Sequence, residues 1–210
     1  MGKLFDRFMT GLSAGWLRFC YATSKVTQEG SPELLYGEEG FAVSFWHGDS
    51  YCYFPQLQHR GDIIITTVDK RGNVVEMLGR KFGFDPYRLP DESVPDVSLV
   101  SLRRMLADTK GKHICFSMDG PLGPYHVPQR FFLTLTFLAK KRVLPVSIQV
   151  KRKIRLKRRW DKYMIPLPFS RMTFTVHPPL EVHKKEFDAL PEKIRLIMDG
   201  EPRGEGNKIP

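Results

Sequence analysis

Apolar residues recur at three- and four-residue spacing from position 3 to 20, where Leu4, Phe5, Phe8, Met9, Leu12, Trp16, Leu17 and Phe19 interleave with Lys3, Asp6, Arg7 and Arg18. That spacing predicts an amphipathic helix with a bulky apolar face. Charges and glycines interrupt it, so it reads neither as a secretory signal nor as a bilayer span. The face either lies in a membrane interface, which basic residues beside Trp and Phe favour, or packs on the domain's own core. Residues 23–40, rich in Gly, Pro, Ser and Glu, read as a connector.

Beyond residue 40 the pattern changes period. Phe41 to Trp46 is almost wholly apolar, as a strand buried on both faces of a parallel sheet would be. Further strands are predicted at 62–68, 87–89, 114–118, 144–150 and 172–177. Helical spacing predicts helices over 73–82, 97–109, 131–139 and 187–198, and a helix starting near Ser50 that breaks at Pro55. Strand followed by helix, repeated, defines an α/β fold: one domain with a mostly parallel, mixed sheet flanked by helices. The expected organisation is an N-terminal amphipathic helix at 1–24, the α/β domain at 25–198 and a disordered Gly- and Pro-rich tail at 199–210. No internal repeat or linker divides the 210 residues, and 41% hydrophobic content suffices for one substantial core.

Charge narrows the partners. A net charge of +10 and a pI of about 9.6 point to an anionic surface, whether phospholipid headgroups, a phosphorylated ligand or nucleic acid. Seven cations crowd the run Lys151-Arg152-Lys153-Ile154-Arg155-Leu156-Lys157-Arg158-Arg159. It contains no aromatic residue to stack on bases, which weighs against nucleic acid and for contact with an anionic membrane. A solvated edge strand guarded by lysines is the competing reading. Cys20, Cys52 and Cys115 are odd in number and lack metal-ligand spacing, so buried thiols in a reducing compartment are expected.

Two strand ends carry candidate chemistry. The first apolar run stops at His47-Gly48-Asp49, which puts an imidazole at a strand's carboxyl end, where open α/β sheets bind ligands. Hydrogen bonding to a neighbouring loop is the alternative role for that histidine. Gly48 is expected to permit a tight turn. Ile114 to Met118 runs into Asp119-Gly120-Pro121-Leu122-Gly123-Pro124, whose glycines and prolines define a rigid loop with a carboxylate at its entrance. Asp119 could orient an imidazole there, or simply cap a turn. Cys52, five residues beyond His47, is a further possible nucleophile, although that offset along a helix faces elsewhere. His126 reads as a loop residue near the same cleft.

These blocks occur in order with Asp69-Lys70-Arg71-Gly72, Phe82-Gly83, Leu144-Pro145-Val146, Trp160-Asp161 and Ile165-Pro166-Leu167-Pro168-Phe169-Ser170. Across roughly residues 35–182 the chain resembles the lysophospholipid acyltransferase-like superfamily, in particular its bacterial branch with a DGPxGP block. The resemblance implies a glycerolipid acyltransferase-like fold and transfer of a fatty acyl group from a thioester to a hydroxyl of a lipid or lysophospholipid. The donor would be acyl-CoA or acyl carrier protein, with no bound cofactor and no metal. A peripheral position on the cytoplasmic face of the inner membrane is expected, with no nucleic-acid partner. Under this resemblance His47, Asp49 and Asp119 are the catalytic candidates: His47 takes the acceptor proton, Asp49 or Asp119 orients the imidazole, and loop amides near Gly120 hold the oxyanion. Substrate-binding candidates are Arg88, Gly120, Pro121, Gly123, Trp46 and Arg71, with Arg88 holding an acceptor phosphate or else pairing with Asp91 or Glu92. Trp160-Asp161 is expected to be structural.

Three departures bear on activity. Cys52 stands where the wider superfamily has an acidic residue, Leu122 replaces a phosphate-holding arginine, and Leu89-Pro90-Asp91-Glu92 replaces a run of small residues. They make a catalytically degenerate, lipid-binding protein the principal alternative, with a nucleic-acid-binding module third.

Overall fold

The apolar run after residue 40 becomes the centre of the molecule. In a computed structural model that describes residues 2–56, 61–67, 70–89, 106, 109 and 111–200, with the side chains of 2–4, 67, 70, 71 and 89 excepted, Ala42–Phe45 forms the buried strand β2. It pairs in parallel with β5 (Ile114–Ser117) on one side and β6 (Val143–Val150) on the other. Outward from β5 come β3 (Ile63–Thr67) and β4 (Asp85–Leu89), both parallel. Outward from β6 come β9 (Arg171–Val176), antiparallel to β6, and β1 (Lys25–Gly30), parallel to β9. The seven-stranded order is therefore β1-β9-β6-β2-β5-β3-β4. This is the single α/β domain with a mostly parallel, mixed sheet that the strand and helix alternation predicts.

Alternation along β2 divides the core. Phe41, Val43 and Phe45 turn to one face, where they meet Leu17 of α1 (Gly2–Thr23) and Leu78 of α2 (Lys70–Lys81). Ala42 and Trp46 turn to the other, against Leu133 of α3 (Arg130–Leu138) and Ile194 of α4 (Leu190–Asp199). Each such fully buried Phe or Leu stabilises the fold by about 1.5–3 kcal/mol before entropy is counted. His113, a second histidine on the sheet, is a core residue: its Nδ1 accepts the Phe41 amide at 2.9 Å.

Several elements differ from expectation for identifiable reasons. The connector contains β1, whose Lys-Val-Thr-Gln-Glu-Gly sequence has no apolar alternation because it is an exposed edge strand held by its ladder to β9. The helix expected from Ser50 is a 3-10 helix that starts at His47 and ends at Tyr53. Within the basic run, β7 (Lys153–Arg155) pairs with β8 (Met164–Pro166) as a separate two-stranded sheet. Asp199, expected to open the tail, is the last residue of α4, and 201–210 lie outside the described residues. The helix expected over 97–109 also falls outside them, apart from Leu106 and Thr109.

Helix α1 packs one face on the core and leaves the other open. Ala14, Leu17 and Cys20 are buried on the core, whereas Phe5, Phe8, Leu12 and Phe19 are exposed. Trp16 donates its indole N–H to the Pro166 carbonyl at 3.0 Å, fastening the helix to β8.

Candidate active site

Adjacent strands β2 and β5 end at the same level, Phe45 opposite Ser117, so His47 and Asp119 emerge side by side from the sheet. The backbone N–H of His47 donates to Asp119 Oδ1 at 2.8 Å, and that of His126 to Asp119 Oδ2 at 3.4 Å. Asp119 thus ties the start of the 3-10 helix to the far end of its own loop. Burial pushes its carboxyl up to about 6, against the His47 amide, which favours the charged form. It makes no hydrogen bond to the imidazole.

The imidazole's carboxylate comes from elsewhere. His47 Nδ1 lies 2.9 Å from Asp161 Oδ2, a residue 114 positions away in the turn between β7 and β8. The Asp161 side chain is fully buried, while that of His47 is 25% exposed. Burial alone would raise the Asp161 carboxyl, but hydrogen bonds from His47 and Arg159 and the Arg159 charge hold it below the usual carboxylate range. An ionised carboxylate only accepts, so the proton of a neutral His47 resides on Nδ1 and the free lone pair on Nε2. Nε2 has no hydrogen-bond partner among the described residues. Asp49 is not an orienting group either: it is buried, raised by that burial, and paired with Arg155 at 3.4 Å.

Two glycines seat the 160–161 segment. A Cβ on Gly48 would lie 2.0 Å from the Asp161 carbonyl oxygen, and one on Gly123 would lie 2.5 Å from the Trp160 ring. Gly48 is therefore needed for close backbone approach rather than for a left-handed turn. The Trp160 ring in turn stands 5.3 Å from the His47 ring, centroid to centroid. The DGPxGP loop, the His-Gly corner and the Trp-Asp turn thus form one packed unit. Asp161 escaped the sequence reading as a catalytic candidate, although Trp160-Asp161 stood among the ordered motifs.

The remaining candidates fall in different places. Trp46 is a buried wall, its indole N–H donated to Asp199 Oδ1 at 2.8 Å and its ring stacked 4.4 Å from His126. The Gly120 amide donates to the Ser117 carbonyl at 3.1 Å, so it is committed to the turn and is not an oxyanion donor. Pro121 and Gly123 line the loop half-buried, and Leu122 is 62% exposed. Arg88 lies near the end of β4, three strands from His47 or about 14 Å along the sheet, and pairs with Glu76 of α2 at 3.4 Å, while Asp91 and Glu92, its other expected partners, lie outside the described residues. Arg71 is in the first turn of α2, and its side chain lies outside the described residues. Cys52 is fully buried, and burial, with the nearby Asp49 charge, pushes its thiol far up, which makes it inert as a nucleophile. No group of three or more His, Cys, Asp and Glu side chains fit to hold a metal occurs among the described residues.

Fold and site together define an α/β protein with a histidine–aspartate pair at the carboxyl edge of its parallel strands. The solved structure of the 1-acyl-sn-glycerophosphate (LPA) acyltransferase PlsC from Thermotoga maritima has the same fold. It superposes with a TM-score of 0.53 at 18% identity, covering 94% of this chain and 82% of that one. In sequence, the chain is 28% identical over 185 residues to an uncharacterized protein of Rickettsia prowazekii (strain Madrid E), spanning 85% of this chain and 83% of that relative. No protein-family model matches it.

Proposed function

We propose that the protein is a membrane-associated O-acyltransferase of the DGPxGP type. It moves a fatty acyl group from acyl-CoA or acyl carrier protein to a hydroxyl of a lipid or lysophospholipid. The observation that carries this reading is the His47–Asp161 pair, with Nδ1 held and Nε2 open at the strand edge. Nε2 accepts the acceptor's hydroxyl proton as the oxygen attacks the thioester carbonyl, and the tetrahedral intermediate then collapses. The C–S bond breaks, and the imidazolium returns its proton to the departing thiolate, leaving ester and free thiol. Asp161 stabilises the imidazolium between those steps. The acidic residue that Cys52 replaces is thereby supplied from another part of the chain. The acyltransferase of the same fold points to a lysophospholipid acceptor.

Membrane association is supported by the open face of α1. Phe19 continues that face onto Phe169 at 6.3 Å, and exposed Lys25, Lys151, Arg152 and Arg171 surround this aromatic tip through paired strand ends. Apolar rings rimmed by cations match an anionic bilayer surface on the cytoplasmic side. No helix among the described residues is long and apolar enough to cross a membrane.

The test is free-thiol release from long-chain acyl-CoA and acyl carrier protein by wild-type and His47→Ala protein, with a membrane lipid extract as acceptor and products followed by mass spectrometry. Release that needs both the extract and His47 supports the reading, and the new mass names the acceptor. Persistence of release in His47→Ala would defeat the mechanism. Exposed Leu122, in place of a phosphate-holding arginine, favours a second reading as a degenerate lipid-binding protein. In that case lipid binding survives His47→Ala and no thioester is consumed.

A further inference from the structure

We propose that Arg159 is a positioning residue for His47, acting through Asp161. It closes the basic run that reads in sequence as a solvated or membrane-facing patch, and although its side chain is 48% exposed its guanidinium is spent on the buried Asp161. Nε donates to Asp161 Oδ1 at 2.9 Å and Nη2 to Oδ2 at 2.8 Å, a two-point fork on one carboxylate. Oδ2 is the atom that also accepts from His47 Nδ1, and Oδ1 takes a further bond from the Tyr163 amide at 3.2 Å. The guanidinium lies over the Tyr163 ring, 5.0 Å from its centroid, so it is held by both fork and face.

This arrangement solves two problems at once. A neutral imidazole offers the buried carboxylate one hydrogen bond and no charge, which leaves an ionised group in the interior uncompensated. Arg159 supplies the charge. The fork also fixes the plane of the carboxylate, and with it the direction in which Oδ2 presents to Nδ1. Without it one long bond from the Tyr163 amide and the imidazole itself are left to hold the carboxylate, so its plane, the imidazole's tautomer and the aim of the Nε2 lone pair are less firmly fixed. A substrate that does not touch Arg159 would bind as before, so the cost falls on turnover. Lysine cannot substitute fully, since it keeps the charge but not the fork.

The inference rests on the transferase reading for its kinetics but not for its spectroscopy. The experiment compares wild-type, Arg159→Gln and Arg159→Lys protein in two ways: acyl-transfer kinetics, and the downfield NMR proton of the His47 Nδ1–H, assigned by its disappearance in His47→Ala. Arg159→Gln is expected to lower kcat by about 10- to 100-fold with KM nearly unchanged, as losses behind a directly acting residue do, and to broaden away the Nδ1–H signal. Arg159→Lys restores part of both. A wild-type signal in Arg159→Gln, or a raised KM with full kcat, overturns the proposal, the latter by making Arg159 a substrate contact. If the wild type transfers no acyl group, the transferase reading fails, and the Nδ1–H signal alone decides the role of Arg159.

Discussion

A carboxylate without solvent exposure is costly unless its lone pairs are filled, and Asp161 fills its own with His47, Arg159 and the Tyr163 amide. Asp161→Asn replaces an acceptor by a group that can donate to Nδ1, which moves the imidazole proton to Nε2 and removes the base. Turnover in the thiol-release assay is expected to fall on the order of 10²- to 10⁴-fold, while Cys52→Ala, removing an inert thiol, stays within about twofold of wild type. Asp119 makes a prediction of opposite electrostatic sense. Its folded-state value of about 6 lies above that of an unfolded aspartate, about 3.9. The folded chain therefore binds more protons between those values, and this group's contribution to stability declines as pH rises through that window. In urea unfolding, the stability of wild type minus that of Asp119→Asn should be larger near about pH 4.5 than near about pH 7. A difference that grows with pH would contradict the burial of this carboxyl.

At the scale of elements, the β7–β8 turn holds the site because two other segments leave room for it. Gly123, at φ +77°, faces the Trp160 ring with no space for a side chain. Gly123→Ala combines backbone strain with a forced shift of Trp160 and should cost about 1–3 kcal/mol of stability, read by denaturant unfolding, with a matching loss of turnover because Asp161 moves with its neighbour. Helix α1 makes a separable prediction. Phe8 and Leu12 are exposed and contribute nothing to the core, so Phe8→Glu and Leu12→Glu should leave the melting temperature unchanged. If these side chains enter a bilayer, each substitution forfeits about 1.5–3 kcal/mol and adds repulsion from anionic lipid. Co-sedimentation with phosphatidylglycerol-containing vesicles should then fall by about tenfold or more per site. Unchanged vesicle binding would place the docking surface elsewhere.

Seen as a whole molecule, the first and the last helix of the described chain both reach the exit of the central strand. From the N-terminal side, the Ser13 carbonyl of α1 accepts the Tyr51 hydroxyl at 2.6 Å, beside the His47 corner. From the C-terminal side, Asp199 at the end of α4 binds both the Trp46 indole and His126, the latter at 2.9 Å. Asp199→Ala leaves a buried indole donor unsatisfied and should destabilise the fold by about 1–3 kcal/mol in urea unfolding. The net charge of +10 acts over the same scale, so binding to anionic vesicles is expected to weaken as ionic strength rises.

Local pattern determined much of this protein. The three- and four-residue spacing of α1, the unbroken apolar run of β2 and the strand and helix alternation were legible because burial imposes its period on each element separately. Two strand ends rich in chemistry, at His47 and at Asp119, were legible for the same reason: an apolar run stops where the sheet stops. Edge strand β1 was hidden, since an exposed ladder needs no apolar alternation. Only the tertiary structure decided that Asp161 serves the imidazole, that Asp119 holds backbone instead, and that the Gly120 amide is spent on its own turn. Each of these depends on loops from distant strands meeting in space, and a contact across 114 residues leaves no periodic trace along the chain that makes it.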